Sequence, residues 1–460
     1  VALYGASRTI AEGLFGLRGI VLASVLGPAL FGLWTLFRLL LRYGGLIGIG
    51  VIRGLEYKVA ADRDADETRR AWGRVTSGFL LGVYGALAIV GYAVSLWLES
   101  PARETVWAAG AGLLVERMWM YGGAYLRAQG ALRRFAVLEL AQAGVSLTLT
   151  ASLAVLWGLP GAYVGFVLAM VGAGALLGRA VPYRPLLSSE KVRELVRIGV
   201  PLSLSTIAAT LLTTVDRLVV AAMEGTVVLG LYGFAVAVSG VGTAAAAVIR
   251  TVVFPEVYAH ARREGGRAAA SAHLAETVLP TAVLLPPLLG LVGLAAGPVV
   301  AAVTPEFAGT LPVMRLFIFT GVGTGFVTLG TLSFVAQEKQ QALPWLTFGG
   351  LVLNAALAVF ALQAGFGLGG VALGALISRS ITGAAVVAVS VPSAGLRQSA
   401  SLFAALLWPL VWSATAVWLI GLWRPGSDLV STAAALGVYA LALLPLLPTA
   451  FTAVRRATAR

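Results

Sequence analysis

Arginines set inside an apolar helix are the residues of this chain whose chemistry needs explaining. The segment 30–52 is apolar enough to cross a bilayer, yet it carries Arg38 and Arg42 and is followed by Arg53. At about 100° per residue these three fall within about 60° of one another and share one helical face. Over a single span Arg42 belongs near the midplane, where a lipid-exposed arginine is costly. Such a stripe has to face water, an acidic partner or an anion moving along it. Guanidinium keeps its charge at physiological pH and can hold phosphate oxygens in pairs, so it suits an anionic cargo.

Other charges fall within apolar runs. Arg18, Arg217 and Arg250 join the candidate anion-binding set, giving Arg18, Arg38, Arg42, Arg53, Arg217 and Arg250. Arg53 and Arg250 end their spans and can equally snorkel to headgroups. Glu12, Glu116, Glu139 and Asp216 are the acids of the spans. Each can bind a coupling proton or sodium ion, or neutralise an arginine, and neutralisation is the commoner role. Arg18 and Asp216 occupy equivalent depths, so a closing salt bridge between them stands beside direct ligand binding by Arg18. Arg315 is expected at the outer interface and is left outside the site.

The composition defines the elements that must carry these side chains. The chain is 59% hydrophobic and 12% charged, with a mean hydropathy of +0.90, the balance of an integral membrane protein. Without cysteine it has no disulfide, thiolate metal site or cysteine nucleophile. His260 and His273 lie in a charged loop and are poorly spaced for a metal. No P-loop motif occurs, and no signal peptide is visible. A chain that begins at Val1 is expected to lack a few N-terminal residues.

Spans of crossing length are read at about 4–27, 30–52, 75–97, 106–126, 135–157, 161–178, 198–222, 231–253, 276–301, 312–334, 344–364, 369–390, 402–423 and 429–450. Basic residues gather on one side, from Arg53, Lys58, Arg69, Arg70 and Arg74 to the tail Arg455 and Arg456. The positive-inside rule then places both termini in the cytoplasm. The net charge of +13 is therefore a topology signal, not a nucleic-acid footprint. Gly174-x-x-x-Gly178 and Gly321-x-Gly323-x-Gly325 read as close-packing sites, and Gln142 and Asn354 as interhelical hydrogen-bonding residues.

The chain repeats. Phe31-Gly32-Leu33-Trp34 matches Leu229-Gly230-Leu231-Tyr232 at an offset of 198, and Gly158-Leu159-Pro160-Gly161 echoes Gly367-Leu368-Gly369-Gly370 at 209. The change of offset implies about ten extra residues near Pro305 to Met314, as a loop or short helix. The repeats run parallel and predict two six-helix lobes plus two further helices. The boundaries are an N-terminal lobe at 1–180, a cytoplasmic interfacial linker helix at 181–197, a C-terminal lobe at 198–390, and the last two helices with a cytoplasmic tail at 391–460.

Several short motifs carry a family resemblance. They are Leu26-Gly27-Pro28-Ala29-Leu30-Phe31-Gly32 and Gly48-Ile49-Gly50-Val51-Ile52-Arg53, then Gly199-Val200-Pro201, Asp216-Arg217, Gly230-Leu231-Tyr232-Gly233-Phe234-Ala235 and Phe254-Pro255-Glu256. In their order and spacing the chain resembles the multidrug/oligosaccharidyl-lipid/polysaccharide (MOP) flippase superfamily, in its polysaccharide transporter branch of O-antigen and oligosaccharide flippases. That resemblance implies an all-α, V-shaped alternating-access bundle of about fourteen transmembrane helices. It also implies a polyprenyl-pyrophosphate-linked oligosaccharide as cargo, with helices one, two, seven and eight around the cavity.

The expected function is translocation of that lipid across a prokaryotic cytoplasmic membrane for cell-surface polysaccharide (lipopolysaccharide-type) biosynthesis. No cofactor is expected beyond a coupling proton or sodium ion. The partners are the lipid-linked oligosaccharide and membrane lipids, with glycosyltransferases or a polysaccharide polymerase as family-implied associates, and no nucleic acid. A lipid II flippase and a multidrug exporter of the same superfamily are the alternatives; arginine excess disfavours an exporter of organic cations. A membrane glycosyltransferase or ligase is more remote, because the outward loops are short and lack paired carboxylates for an enzyme.

Overall fold

The computed structural model describes residues 2–62, 66–244, 266–336, 340–390, 396–423 and 428–451. Among them, fourteen α-helices follow one another without a strand: α1 (Ala2–Gly44), α2 (Ile49–Ala61), α3 (Asp66–Ser95), α4 (Ala102–Ala128), α5 (Leu132–Leu177), α6 (Ser189–Leu212), α7 (Val215–Val238), α8 (Gly266–Val303), α9 (Leu311–Phe317), α10 (Thr320–Ala336), α11 (Leu343–Gln363), α12 (Gly367–Ser390), α13 (Leu396–Trp423) and α14 (Leu429–Ala442). Eleven described stretches are long and apolar enough to cross a membrane.

Two of the longest helices are each a pair of expected spans folded at a glycine. α1 breaks at Gly27 (φ 66°), just before Pro28, and α5 breaks at Gly158 (φ 63°), just before Leu159-Pro160. A side chain in this left-handed region costs roughly 1–2 kcal/mol, which is why glycine stands at the fold. α7 bends in the same way at Gly225 (φ 82°). Gly27 and Gly225 are 198 residues apart, while Gly158 and the left-handed Gly367 are 209 apart. The repeat offsets read in the sequence are thus the offsets of the backbone turns. The extra residues before α10 form a 3-10 turn, Pro305–Thr310, and the short α9.

The expected span 30–52 is not one helix. α1 ends at Gly44, residues 45–48 form a turn, and α2 restarts at Ile49 and runs through Arg53 to Ala61. Gly44, Gly45 and Gly48 weaken the helix at this point, and polar side chains take up the backbone groups it frees. Gly48 N–H donates to Tyr84 Oη at 2.8 Å, and Tyr84 Oη lies 3.3 Å from Gly44 O. Arg117 Nη1 donates to Gly45 O at 3.5 Å.

The separate linker helix expected at 181–197 is absent as such. Residues 181–188 are not helical, and α6 runs unbroken from Ser189 to Leu212, since nothing between Lys191 and Val200 interrupts it. α6 stops where Thr213 and Thr214 turn their hydroxyls back onto the carbonyls of Ala209 (2.9 Å) and Thr210 (2.7 Å), an alternative to the helical ladder.

The chain divides into two compact units, one of residues 1–207 with 224–230 and the other of 208–223 with 231–460. In the first, Gly32 of α1 lies against the backbone of Thr226, and Gly54 of α2 against that of Leu195. Trp34, Phe37, Tyr163 and Phe166 form its aromatic core, with Phe37 set edge-on to Phe166 at 5.3 Å. In the second, Leu289, Phe319, Phe326, Leu410 and Tyr439 are fully buried in one apolar cluster. Gly321 and Gly323 of α10 meet the backbones of Gly242 and Arg379, so these glycines do mark close approach. Gly174 and Gly178 do not, because a side chain at either would meet nothing within 4 Å.

Candidate functional site

In the first unit, two guanidiniums converge on Phe166, and one carboxylate links the second of them to a third. Arg18 lies 5.8 Å and Arg38 5.4 Å from the centre of that ring, and Arg18 also lies over Phe15 and Trp34. Aromatic faces are negative, so they help hold cations that have lost most of their water. Arg18 is 5% exposed and donates to Ser146 Oγ at 2.5 Å, while its Nε has no acceptor among the described residues. Glu116 sits between Arg38 Nη1 (3.9 Å) and Arg117 Nη2 (3.2 Å). Neighbours in sequence usually diverge on a helix, but Arg117 is long enough to curl back onto Glu116. The cluster therefore holds three positive charges against one negative, and Arg38, with its side chain 38% exposed, is open to approach.

The other residues named from the sequence lie apart from this cluster. Arg42 is exposed in the last turn of α1, next to the turn that interrupts the expected span. Arg53 lies in α2, beyond the turn that interrupts the stripe, and its Nη1 binds Glu56 Oε2 at 2.8 Å. Arg127 binds the other oxygen of Glu56, also at 2.8 Å. Glu12 and Glu139 share Arg8, at 3.5 and 3.8 Å. Arg250, the Phe254-Pro255-Glu256 motif and His260 lie outside the described residues.

The second unit holds a buried polar cluster at the break between α6 and α7. Asp216 is fully buried; its Oδ2 accepts from Tyr232 Oη at 2.8 Å and from Arg379 Nη2 at 3.2 Å. Arg217, beside it, donates to the carbonyl of Thr213. Arg379 also donates to that carbonyl, at 3.1 Å, and Asn354 Nδ2 donates to Leu212 O at 2.9 Å. Arg18 and Asp216, which the sequence also offered as a pair, each have partners within their own unit. Arg315, expected at an interface, is 5% exposed, enclosed by the glycine faces of α8 and α13 at Gly293 and Gly421.

The family model described as polysaccharide biosynthesis protein matches residues 21–306. The chain belongs to that family. Its fold is that of multi-span transporters of the MOP superfamily. It is similar to a solved structure of "Lipid II flippase MurJ, inward closed conformation", with a TM-score of 0.74, 13% identity and 100% of each chain covered. It is also similar to the outward-facing conformation of a multidrug resistance MATE family transporter of the MOP superfamily, with a TM-score of 0.60, 16% identity, and 87% of this chain and 95% of that one covered. The inward-facing conformation of such a transporter gives a TM-score of 0.59 at 16% identity, covering 90% and 94%. At these identities the likeness is one of fold. No curated protein matches the chain.

Three polar residues of this polysaccharide biosynthesis family member escaped the sequence reading of the site. Arg379 stands in the middle of α12, and the apolar average of its span concealed it. Arg117 was legible only as a neighbour of Glu116. Arg8 lies close to the start of the chain, where a charge is usually outside the bilayer. An intramembrane arginine is itself the signal that would have found Arg379.

Proposed function

We propose that this transporter flips a polyprenyl-pyrophosphate-linked oligosaccharide across a prokaryotic cytoplasmic membrane for cell-surface polysaccharide synthesis, with both termini cytoplasmic. The observation that supports this most is the convergence of Arg18 and Arg38 on Phe166, with Glu116 as the cluster's only carboxylate among the described residues. The excess positive charge suits a pyrophosphate, whose oxygens two guanidiniums can grip in pairs. Arg18 and Arg38 would hold the anion, and Arg117 would fix Glu116 so that it leaves Arg38 partly free. Arg42, Arg53, Arg217 and Arg250 would play lesser parts along the path. A cavity that opens alternately to each face would carry the headgroup while the polyprenyl tail stays in lipid. Glycosyltransferases or a polymerase would supply and consume the cargo.

The test is thermal stabilisation of the purified chain by a short-chain polyprenyl pyrophosphate. Wild type should gain stability in a saturable way, and Arg18→Ala and Arg38→Ala should lose most of that gain. Stabilisation by lipophilic organic cations, with none by the pyrophosphate, would overturn the reading in favour of a drug exporter. The MurJ-like fold keeps lipid II as a second cargo, and competition between lipid II and the oligosaccharide lipid distinguishes the two.

A further inference from the structure

We infer that Arg379 is a tethered counter-ion, holding beside Asp216 the place that a coupling cation from solution would otherwise take. Asp216 is fully buried, and an ionised carboxylate there requires a positive partner. From the sequence, that partner is either a coupling ion or an arginine. The guanidinium of Arg379 sits among three oxygens: Asp216 Oδ2 at 3.2 Å, Thr213 O at 3.1 Å and Thr320 Oγ1 at 3.3 Å. A carboxylate, a backbone carbonyl and a hydroxyl form a hard oxygen donor set of the kind that holds metal cations.

The surroundings complete the arrangement. Thr213 O lies outside the helical ladder because α6 breaks there, so it accepts from Arg217 as well as Arg379, and Thr320 opens α10 on the neighbouring side. Phe317 lies 4.9 Å below the guanidinium and edge-on to Tyr232 at 5.8 Å, closing the apolar side. The ionisable groups facing Asp216 are Tyr232, Arg217 and Arg379, and no second carboxylate joins them among the described residues. An arginine does not titrate in the physiological range, so the charge at Asp216 is balanced through any cycle that keeps this pair. Asp216 then needs no sodium ion. Without Arg379, the same oxygens would lose their nearest cation, keeping among the described residues only Arg217, at 3.9 Å from the other oxygen of Asp216, and would accept a sodium ion.

The experiment measures binding of ²²Na⁺ to the purified full chain, together with its melting temperature in sodium and in choline salts. Wild type should show no sodium binding that Asp216→Asn removes, and Arg379→Lys should behave like wild type. Arg379→Ala should gain saturable sodium binding several-fold above wild type and a sodium-dependent rise in melting temperature. Adding Asp216→Asn to it should abolish both. Sodium binding by wild type that Asp216→Asn removes would overturn the inference, as would a folded Arg379→Ala chain with no sodium response. If Arg379→Ala does not fold, the wild-type and Asp216→Asn comparison decides the matter alone. None of these measurements uses the cargo, so they stand or fall apart from the flippase reading.

Discussion

Asp216 and Arg379 form a buried ion pair, Oδ2 to Nη2 at 3.2 Å, that ties the first turn of α7 to the middle of α12. Removing one partner of such a pair strands the other charge and typically costs about 3–5 kcal/mol. Asp216→Asn and Arg379→Met should each lower stability on that scale in detergent denaturation, and the double variant should recover part of the loss. Strictly additive losses would show that the two residues act independently.

The left-handed turns offer a second prediction. Gly27→Ala and Gly158→Ala should each destabilise the chain by roughly 1–2 kcal/mol, because no L side chain fits φ near 65° without strain. Gly172→Ala, in an ordinary helical position with open space around it, should be neutral or mildly stabilising. Melting curves of the three variants decide this; equal effects at all three sites would remove the turns' special status.

Much of the fold was legible because its signals are local. Gly27-Pro28 and Gly158-Leu159-Pro160 mark turns in the residues themselves, and the spacing to Gly225 and Gly367 carries the repeat. The interruption at Gly44–Gly48 was hidden, because an apolar average runs smoothly across a turn whose backbone is satisfied by Tyr84, a residue of another helix. Likewise, the partners of the charged residues come from distant parts of the chain. Arg18 meets Ser146 and Phe166, and Asp216 meets Arg379, contacts that no periodicity reveals. The end of the helix two residues after Arg42 was hidden for the same reason.

Tyr84→Phe should weaken the turn after α1. It deletes the acceptor of Gly48 N–H and the hydroxyl beside Gly44 O, and leaving a buried backbone group unpaired costs about 1–3 kcal/mol. Faster amide hydrogen exchange at 44–49, with the rest of α1 unchanged, is the expected outcome. Exchange that does not change would place the turn's stability elsewhere.

Arg8 serves two acids of unequal exposure, Glu12 at 51% and Glu139 at 14% of the side chain. Glu12→Gln should therefore be nearly silent, as exposed pairs are worth about 0–1 kcal/mol. Arg8→Ala should cost more, because it leaves Glu139 half-desolvated without its cation. Comparing their melting temperatures checks the order; a larger loss for Glu12→Gln would contradict it.

The most direct test of the account is translocation of a fluorescent polyprenyl-pyrophosphate oligosaccharide in proteoliposomes, comparing wild type, Arg38→Ala and Arg42→Ala at matched folding and reconstitution. Flipping by wild type that falls at least tenfold in Arg38→Ala, about 1.4 kcal/mol of lost stabilisation, and much less in Arg42→Ala is the predicted result. Full activity in Arg38→Ala, or no flipping of the lipid by wild type, would contradict the claim that the cluster at Phe166 receives the pyrophosphate.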